Sequence, residues 1–137
     1  MAPEVPFKLK LQILCGEEVA MGPGKADLLE AIAAHRSISA AGRAMGMSYR
    51  RTWLLVDAMN RCWHGPLVAT VPGNQKAGAH LTELGAVILA QYRALQREVE
   101  QVSTARLADL VAQSLLPAPR PAQHRSTREP ADPSAAP

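Results

Sequence analysis

The side chains of this sequence best suited to chemistry are cations. Arg50 and Arg51 follow Ser48 and Tyr49 inside the stretch SISAAGRAMGMSYRRTWLLVDAMNR, residues 37–61. If Ser48 caps a helix that starts near Tyr49, both arginines fall in its first turn, where the positive end of the helix dipole opposes them. A guanidinium held there against that penalty is suited to a phosphate oxygen or a guanine edge. The bland alternative is a solvated face on an ordinary core helix. Other chemistry finds less support. Cys62 and His64 are one residue apart and Cys15, His35 and His80 lie elsewhere, but no second close pair of ligands completes a zinc set, so no metal or cofactor is expected. With no Gly-rich phosphate loop, no Gly-x-Ser-x-Gly elbow and no carboxylate pair at a strand end, the chain does not read as an enzyme.

The elements that must position these arginines can be read from spacing. Ser39 is suited to cap a short helix carrying Ala40, Ala41, Ala44 and Met45; Gly46 then makes a sharp turn, and the small residues Ala41 and Gly42 allow a second helix to cross closely. That is a helix-turn-helix pattern. On the second helix Trp53, Val56, Asn60 and Trp63 recur at helical spacing beside Thr52, Leu55 and Met59, which predicts a buried side. Arg50, Leu54, Asp57 and Arg61 form the opposite side.

Upstream, Phe7 to Cys15 alternates polar and apolar residues and reads as a half-buried strand. Glu18 to Met21 reads as a second short strand, Gly22-Pro23-Gly24 as a break, and Lys25 to about His35 as a helix burying Leu28, Leu29 and Ile32. Downstream, Leu67 to Val71 and His80 to Thr82 predict a two-stranded wing whose tip carries Asn74, Gln75 and Lys76, polar groups fit to touch a sugar-phosphate backbone. Thr82 then opens a helix that runs to about Gln113, with Leu84, Ile88, Tyr92, Leu95, Val99 and Val102 close to a heptad seam. Thirty residues give about 45 Å of helix, longer than a small domain can cover, so a second copy of the chain is the expected partner along that seam. A core helix with a frayed extension is the alternative.

Composition agrees with this division. The 137 residues suffice for one domain with appendages: a flexible start over 1–6, a folded unit over 7–113, and a disordered tail rich in proline and alanine over 114–137. Residues 36–80 carry six Lys or Arg (Arg36, Arg43, Arg50, Arg51, Arg61, Lys76) against one acid, Asp57, which suits an anionic partner. Two cysteines cannot build a multi-bridge framework, no leader opens the chain, and no apolar run approaches the roughly 20 residues needed to span a bilayer. A reduced, cytoplasmic location without membrane contact is expected.

The stretch GPGKADLLEAIAAHRSISAAGRAMGMSYRRTWLLVDAMN, followed by PLVATVPG and HLTELG, resembles the amino-terminal winged-helix DNA-binding domain of the molybdate-responsive ModE regulators. The resemblance runs roughly from Leu9 to Leu95 and is most specific in GMSYRR(T)W. It implies a mainly α fold with small β, a winged helix-turn-helix with a long carboxy-terminal dimerisation helix. It also implies a homodimer that binds double-stranded DNA at a dyad-symmetric operator and controls molybdate uptake or molybdenum-enzyme genes. Ser48, Tyr49, Arg50 and Arg51 match the start of the family's recognition helix, Lys76 its basic wing tip and Trp53 a core position. Leu54, Asn74 and Gln75 join the expected DNA-contacting set from their places on the helix and the tip. The family's tip is a run of glycines around a lysine, whereas here it reads GNQKAGAH. Its full-length members carry paired β-barrel domains that bind molybdate, and here a proline-rich tail follows the long helix, so no direct molybdate binding is expected. A protein-interaction module, or a DNA-binding regulator unconnected with molybdenum, is the other reading. Steep loss of duplex affinity with salt separates DNA binding from protein contact.

Overall fold

Apolar side chains from every element meet in one core, and their spacing explains the elements. The computed structural model describes residues 6–72 and 78–123. In chain order these form β1 (Ile13–Cys15), β2 (Glu18–Met21), α1 (Pro23–His35), α2 (Ile38–Ala44), α3 (Tyr49–Cys62), β3 (Val68–Thr70), β4 (Ala79–Leu81) and α4 (Glu83–Ser114). The fold is mainly helical, with two small antiparallel sheets, β1–β2 and β3–β4, and a long last helix. Met21 of β2, Leu28, Leu29 and Ile32 of α1, Ile38 and Ala41 of α2, Val56 and Met59 of α3, Leu67 and Val68 around β3, Ala79 of β4 and Tyr92 of α4 are all buried together.

The first strand is shorter than the alternation predicts. Only Ile13–Cys15 pairs, because β2 offers partners to three residues, in the register Ile13↔Met21, Leu14↔Val19 and Cys15↔Glu18. Phe7 to Gln12 nonetheless keeps its alternation: Phe7, Leu9 and Leu11 are half-buried while Lys8, Lys10 and Gln12 are exposed. Its sheet partner is replaced by helix α4, whose Tyr92 hydroxyl donates to the Leu11 carbonyl at 2.7 Å. Helix α1 begins at Pro23, two residues before the predicted Lys25; proline is suited to a first helical position because its missing N–H is one that no helix bonds there.

The α2–α3 pair is built on three local devices. Ser37, rather than Ser39, caps α2: its backbone is extended and its hydroxyl accepts from Ala40 N at 3.1 Å, while Ser39 lies one residue inside the helix. Gly46 turns the chain with a positive φ of 73°, a conformation that costs glycine little. Gly42 lets α3 come close, since a Cβ there would fall on the Thr52 hydroxyl and lie 3.0 Å from Thr52 Cβ.

The β3–β4 hairpin is closed by Val71 N–H donating to Gly78 O at 2.8 Å, and Ala79 N–H ties it to Arg36 O at 3.0 Å. Thr82 caps α4, accepting from Gly85 N at 2.9 Å while its hydroxyl donates to Pro66 O at 2.7 Å. Gly85 in turn packs against the backbone of Leu67, leaving no room for a side chain. No helix among the described residues is long and apolar enough to cross a membrane.

Candidate nucleic-acid interface

Helix α3 is capped at its start and fastened at its end to both small sheets. At its start Ser48 Oγ accepts from Arg51 N at 3.1 Å, and the Ser48 carbonyl accepts from the buried Thr52 hydroxyl at 2.8 Å. Near its end Asn60 grips β3: Oδ1 accepts from Leu67 N at 2.8 Å and Val68 N at 3.1 Å, and Nδ2 donates to Val68 O at 3.1 Å. Trp63 Nε1 donates to Ala20 O on β2 at 3.3 Å. With Thr52, Val56, Ala58 and Met59 buried, the side of α3 that remains in solvent carries Arg50, Leu54, Asp57 and Arg61.

Arg50 and Arg51 are both exposed, and neither enters an ion pair among the described residues. They border a shallow groove with Ser48, Leu54, Lys25 and Glu18. Further along, Asp57 accepts from Arg61 Nε at 2.8 Å, a bond that lifts the guanidinium's already high pKa and occupies the one carboxylate that α3 itself carries. The predicted residues Ser48, Tyr49, Arg50, Arg51 and Leu54 thus share one end of one helix. Asn74, Gln75 and Lys76 lie outside the described residues.

Trp53 departs from its expected place in the core. It is 37% exposed, with Tyr49 (65%) meeting it edge-on at a ring-centroid distance of 6.1 Å. The buried arc is centred nearer Thr52 and Met59, which leaves Trp53 on the flank facing the root of the hairpin. Sequence reasoning also passed over Arg93. Its guanidinium donates to Asp27 at 2.6 Å and to Glu30 at 2.8 and 3.0 Å, clasping α4 to α1. The clasp holds the Glu30 carboxyl below its ordinary pKa through that hydrogen bond, against a smaller opposing effect of burial, and raises that of Arg93. Its members are more than 60 residues apart in sequence, so no local pattern announces it.

The heptad seam of α4 divides in two. Leu84 and Ile88 pack half-buried on this chain's own core and Tyr92 is 2% exposed within it, so Tyr92 is not available to a second copy as the seam predicts. Burial pushes the Tyr92 phenol up. Leu95 and Val102 are 43% and 62% exposed, with Val99 half-buried between them. Among the described residues no three His, Cys, Asp or Glu side chains converge as a metal site would need. Cys62 neighbours Cys15, and its thiol is pushed up first by burial and then by that neighbour.

No family model matches the chain. Individual proteins do. It is 38% identical over 94 residues to the molybdenum-pterin-binding protein MopA of Rhodobacter capsulatus, a match covering 68% of this chain and 36% of that protein. With MopB of the same organism it shares 40% over 83 residues, 60% of this chain and 31% of MopB. With the molybdenum transport protein ModE of Azotobacter vinelandii it shares 39% over 82 residues, 59% of this chain and 30% of ModE. The chain spans about a third of the length of these relatives. It is a homologue of the ModE and Mop proteins over that shared segment.

Proposed function

We propose that this homologue of ModE is a sequence-specific DNA-binding regulator of molybdenum-related genes. In this reading α2 and α3 are a helix-turn-helix, α3 is the recognition helix, and the β3–β4 hairpin is the wing. The observation that carries it is the placement of Arg50 and Arg51. Two exposed guanidinium groups, in no ion pair among the described residues, stand in the first turn of a helix fixed at both ends, where its own dipole disfavours them and an anionic partner would favour them. The surplus of cations over residues 36–80 of the sequence agrees with an anionic partner.

Two copies of α3 enter successive major grooves on one face of a duplex when held about 34 Å apart. The exposed half of the α4 seam is suited to hold them, giving a homodimer on a dyad-symmetric operator. The molybdenum connection rests on the relatives, two of which are named for molybdenum-pterin binding and one for molybdenum transport. The reading assigns Arg50 and Arg51 to DNA and places no molybdate on this chain; titration calorimetry with molybdate checks that point.

The test is binding to a duplex selected from a random pool, followed across salt. Counterion release makes the logarithm of affinity fall linearly with the logarithm of salt concentration. The Arg50→Ala, Arg51→Ala double variant loses at least about 1 to 3 kcal/mol, the worth of one bidentate guanine contact, and relaxes preference at a base position. Unchanged affinity in that variant would remove the assignment of α3. Chromatin immunoprecipitation from the source cells then shows whether the bound sites sit at molybdenum genes.

A further inference from the structure

The exposed Trp53 is unexplained by packing, and it does not stand alone. It lines a notch with Ser39, Tyr49, Thr70 and Val71, between the start of α3 and the root of the β3–β4 hairpin. At 100° per residue Trp53 lies about 60° round the helix from Arg50 and about 40° from Tyr49, so the notch opens beside the cationic face rather than away from it. Tyr49 meets the indole edge-on, an arrangement that aromatic quadrupoles favour and that fixes the ring's position. Val71, 45% exposed, adds an aliphatic flank on the hairpin side.

An occupant has to be anionic outside and to present a small apolar group inside. Exposed Arg50, on the same helix as Trp53 and in no ion pair among the described residues, sets the first requirement. Duplex DNA meets both, because its backbone is anionic and the major-groove edge of thymine projects a methyl group beside the O4 acceptor. Duplex RNA does not: uracil lacks the methyl and the A-form major groove is too deep and narrow for a helix.

We infer that the Tyr49–Trp53 notch reads thymine in the major groove by enclosing its 5-methyl group. This rests on the DNA-binding reading above and adds a specificity-determining residue to it, Trp53, acting by apolar contact where Arg50 and Arg51 act by charge. Burying one methyl on an aromatic face corresponds to about a fourfold change in affinity.

The experiment uses the full chain and a duplex selected from a random pool. Each thymine is replaced in turn by deoxyuridine, which removes the methyl and leaves the pairing edge intact. Affinity falls about three- to fivefold at one position in each half-site. In Trp53→Ala that penalty disappears, so thymine and deoxyuridine duplexes bind alike, while Trp53→Phe keeps it; circular dichroism confirms that both variants are folded. The inference is overturned if no deoxyuridine substitution matters, or if Trp53→Ala discriminates as the parent does. Failure of the DNA reading looks different: no duplex is enriched from the pool, and the notch then belongs to a protein contact.

Discussion

Helices α3 and α4 leave the same core in different ways. The 14-residue α3 is held at both ends: capped by Ser48 and packed through Thr52 against Gly42 at its start, and bonded through Asn60 to β3 and Trp63 to β2 at its end. The 32-residue α4 is tied at its start by Thr82 and Gly85 and about ten residues in by Tyr92 and Arg93; beyond that Ile13 and Trp63 border it near Leu95 and Glu98, and the segment near Phe7 and Leu9 approaches it around Glu100 and Thr104. At 1.5 Å per residue α4 is about 48 Å long, against a diameter of roughly 35 Å for a compact unit of this size. A helix whose outward side must meet a partner in one orientation needs the first design. A helix that reaches past its own domain fits the second, and its open strip of Val87, Leu95 and Val102 is the part left for something else to cover.

The sharpest way to break this contrast is at the glycines that set the two crossings. Gly42→Ala puts a methyl onto Thr52, and the expected loss is about 3 kcal/mol, at the upper end of overpacking costs. Because the obstacle is a side chain, Thr52→Ala in the same chain recovers part of that loss. Gly85→Ala costs a similar amount, but its obstacle is the Leu67 backbone, so no single side-chain change relieves it. Denaturant midpoints of the single and paired variants measure the coupling directly. Full additivity of Gly42→Ala with Thr52→Ala would mean that the two residues do not touch.

A second, smaller effect lies at the other end of α3. Asn60→Ala leaves the N–H groups of Leu67 and Val68 without their acceptor, for a loss of about 2 kcal/mol. Asn60→Asp still accepts from both and loses only the donation to Val68 O, so it falls between the parent and the alanine variant. Equal stability of all three would show that Asn60 does not join the helix to the hairpin.

These residues also mark where the sequence could be read and where it could not. The caps at Ser48 and Thr82, the turn at Gly46 and the close crossing at Gly42 depend on local chemistry, and their residue types reveal them. The expected buried side of α3 is centred on the row Trp53, Val56, Asn60 and Trp63, whereas the buried arc is centred on Thr52, Val56 and Met59, which leaves Trp53 at its edge. The cap of α2 shifted from Ser39 to Ser37 because two serines with the same chemistry stand two residues apart, and the left-handed Arg36 before them decides which starts the helix. Asn60 and Arg93 act across 8 and more than 60 residues, and only the fold brings their partners near.

A weaker tether sharpens the comparison on the α4 side. Arg93 is 20% exposed, but Asp27 and Glu30 are 57% and 53% exposed, so the clasp contributes roughly 1 kcal/mol or less. Glu30 has a lowered pKa in the folded state, so its share of stability is present above the ordinary carboxylate value and is lost as pH falls through the lower folded value. Arg93 has a raised pKa, and its share is lost only on the alkaline side, above its ordinary value. Thermal midpoints of the parent and Arg93→Met therefore differ at pH 7 and converge as the pH falls below the ordinary carboxylate value. A constant difference across that range would rule out the carboxylates as the source.

The smallest effect on folding, and the one that tests what α4 is for, belongs to its open strip. Leu95 and Val102 are already 43% and 62% exposed, so replacing both with Glu changes the stability of an isolated chain by no more than about 0.5 kcal/mol each. The two positions are seven residues apart, two helical turns on one side, and like charges brought face to face across a seam repel. If a second copy covers this strip, the double variant sediments as a folded monomer. It then binds a two-half-site duplex no more tightly than a single half-site, because the linkage between recognition helices is gone. Tyr92, buried in its own chain, serves as the internal comparison: Tyr92→Ala lowers the denaturant midpoint by removing packing and the bond to Leu11 O, an effect independent of protein concentration. A parent chain that sediments as a monomer at tens of micromolar would show that the strip is not a homodimer seam, and the long helix would then need a different partner.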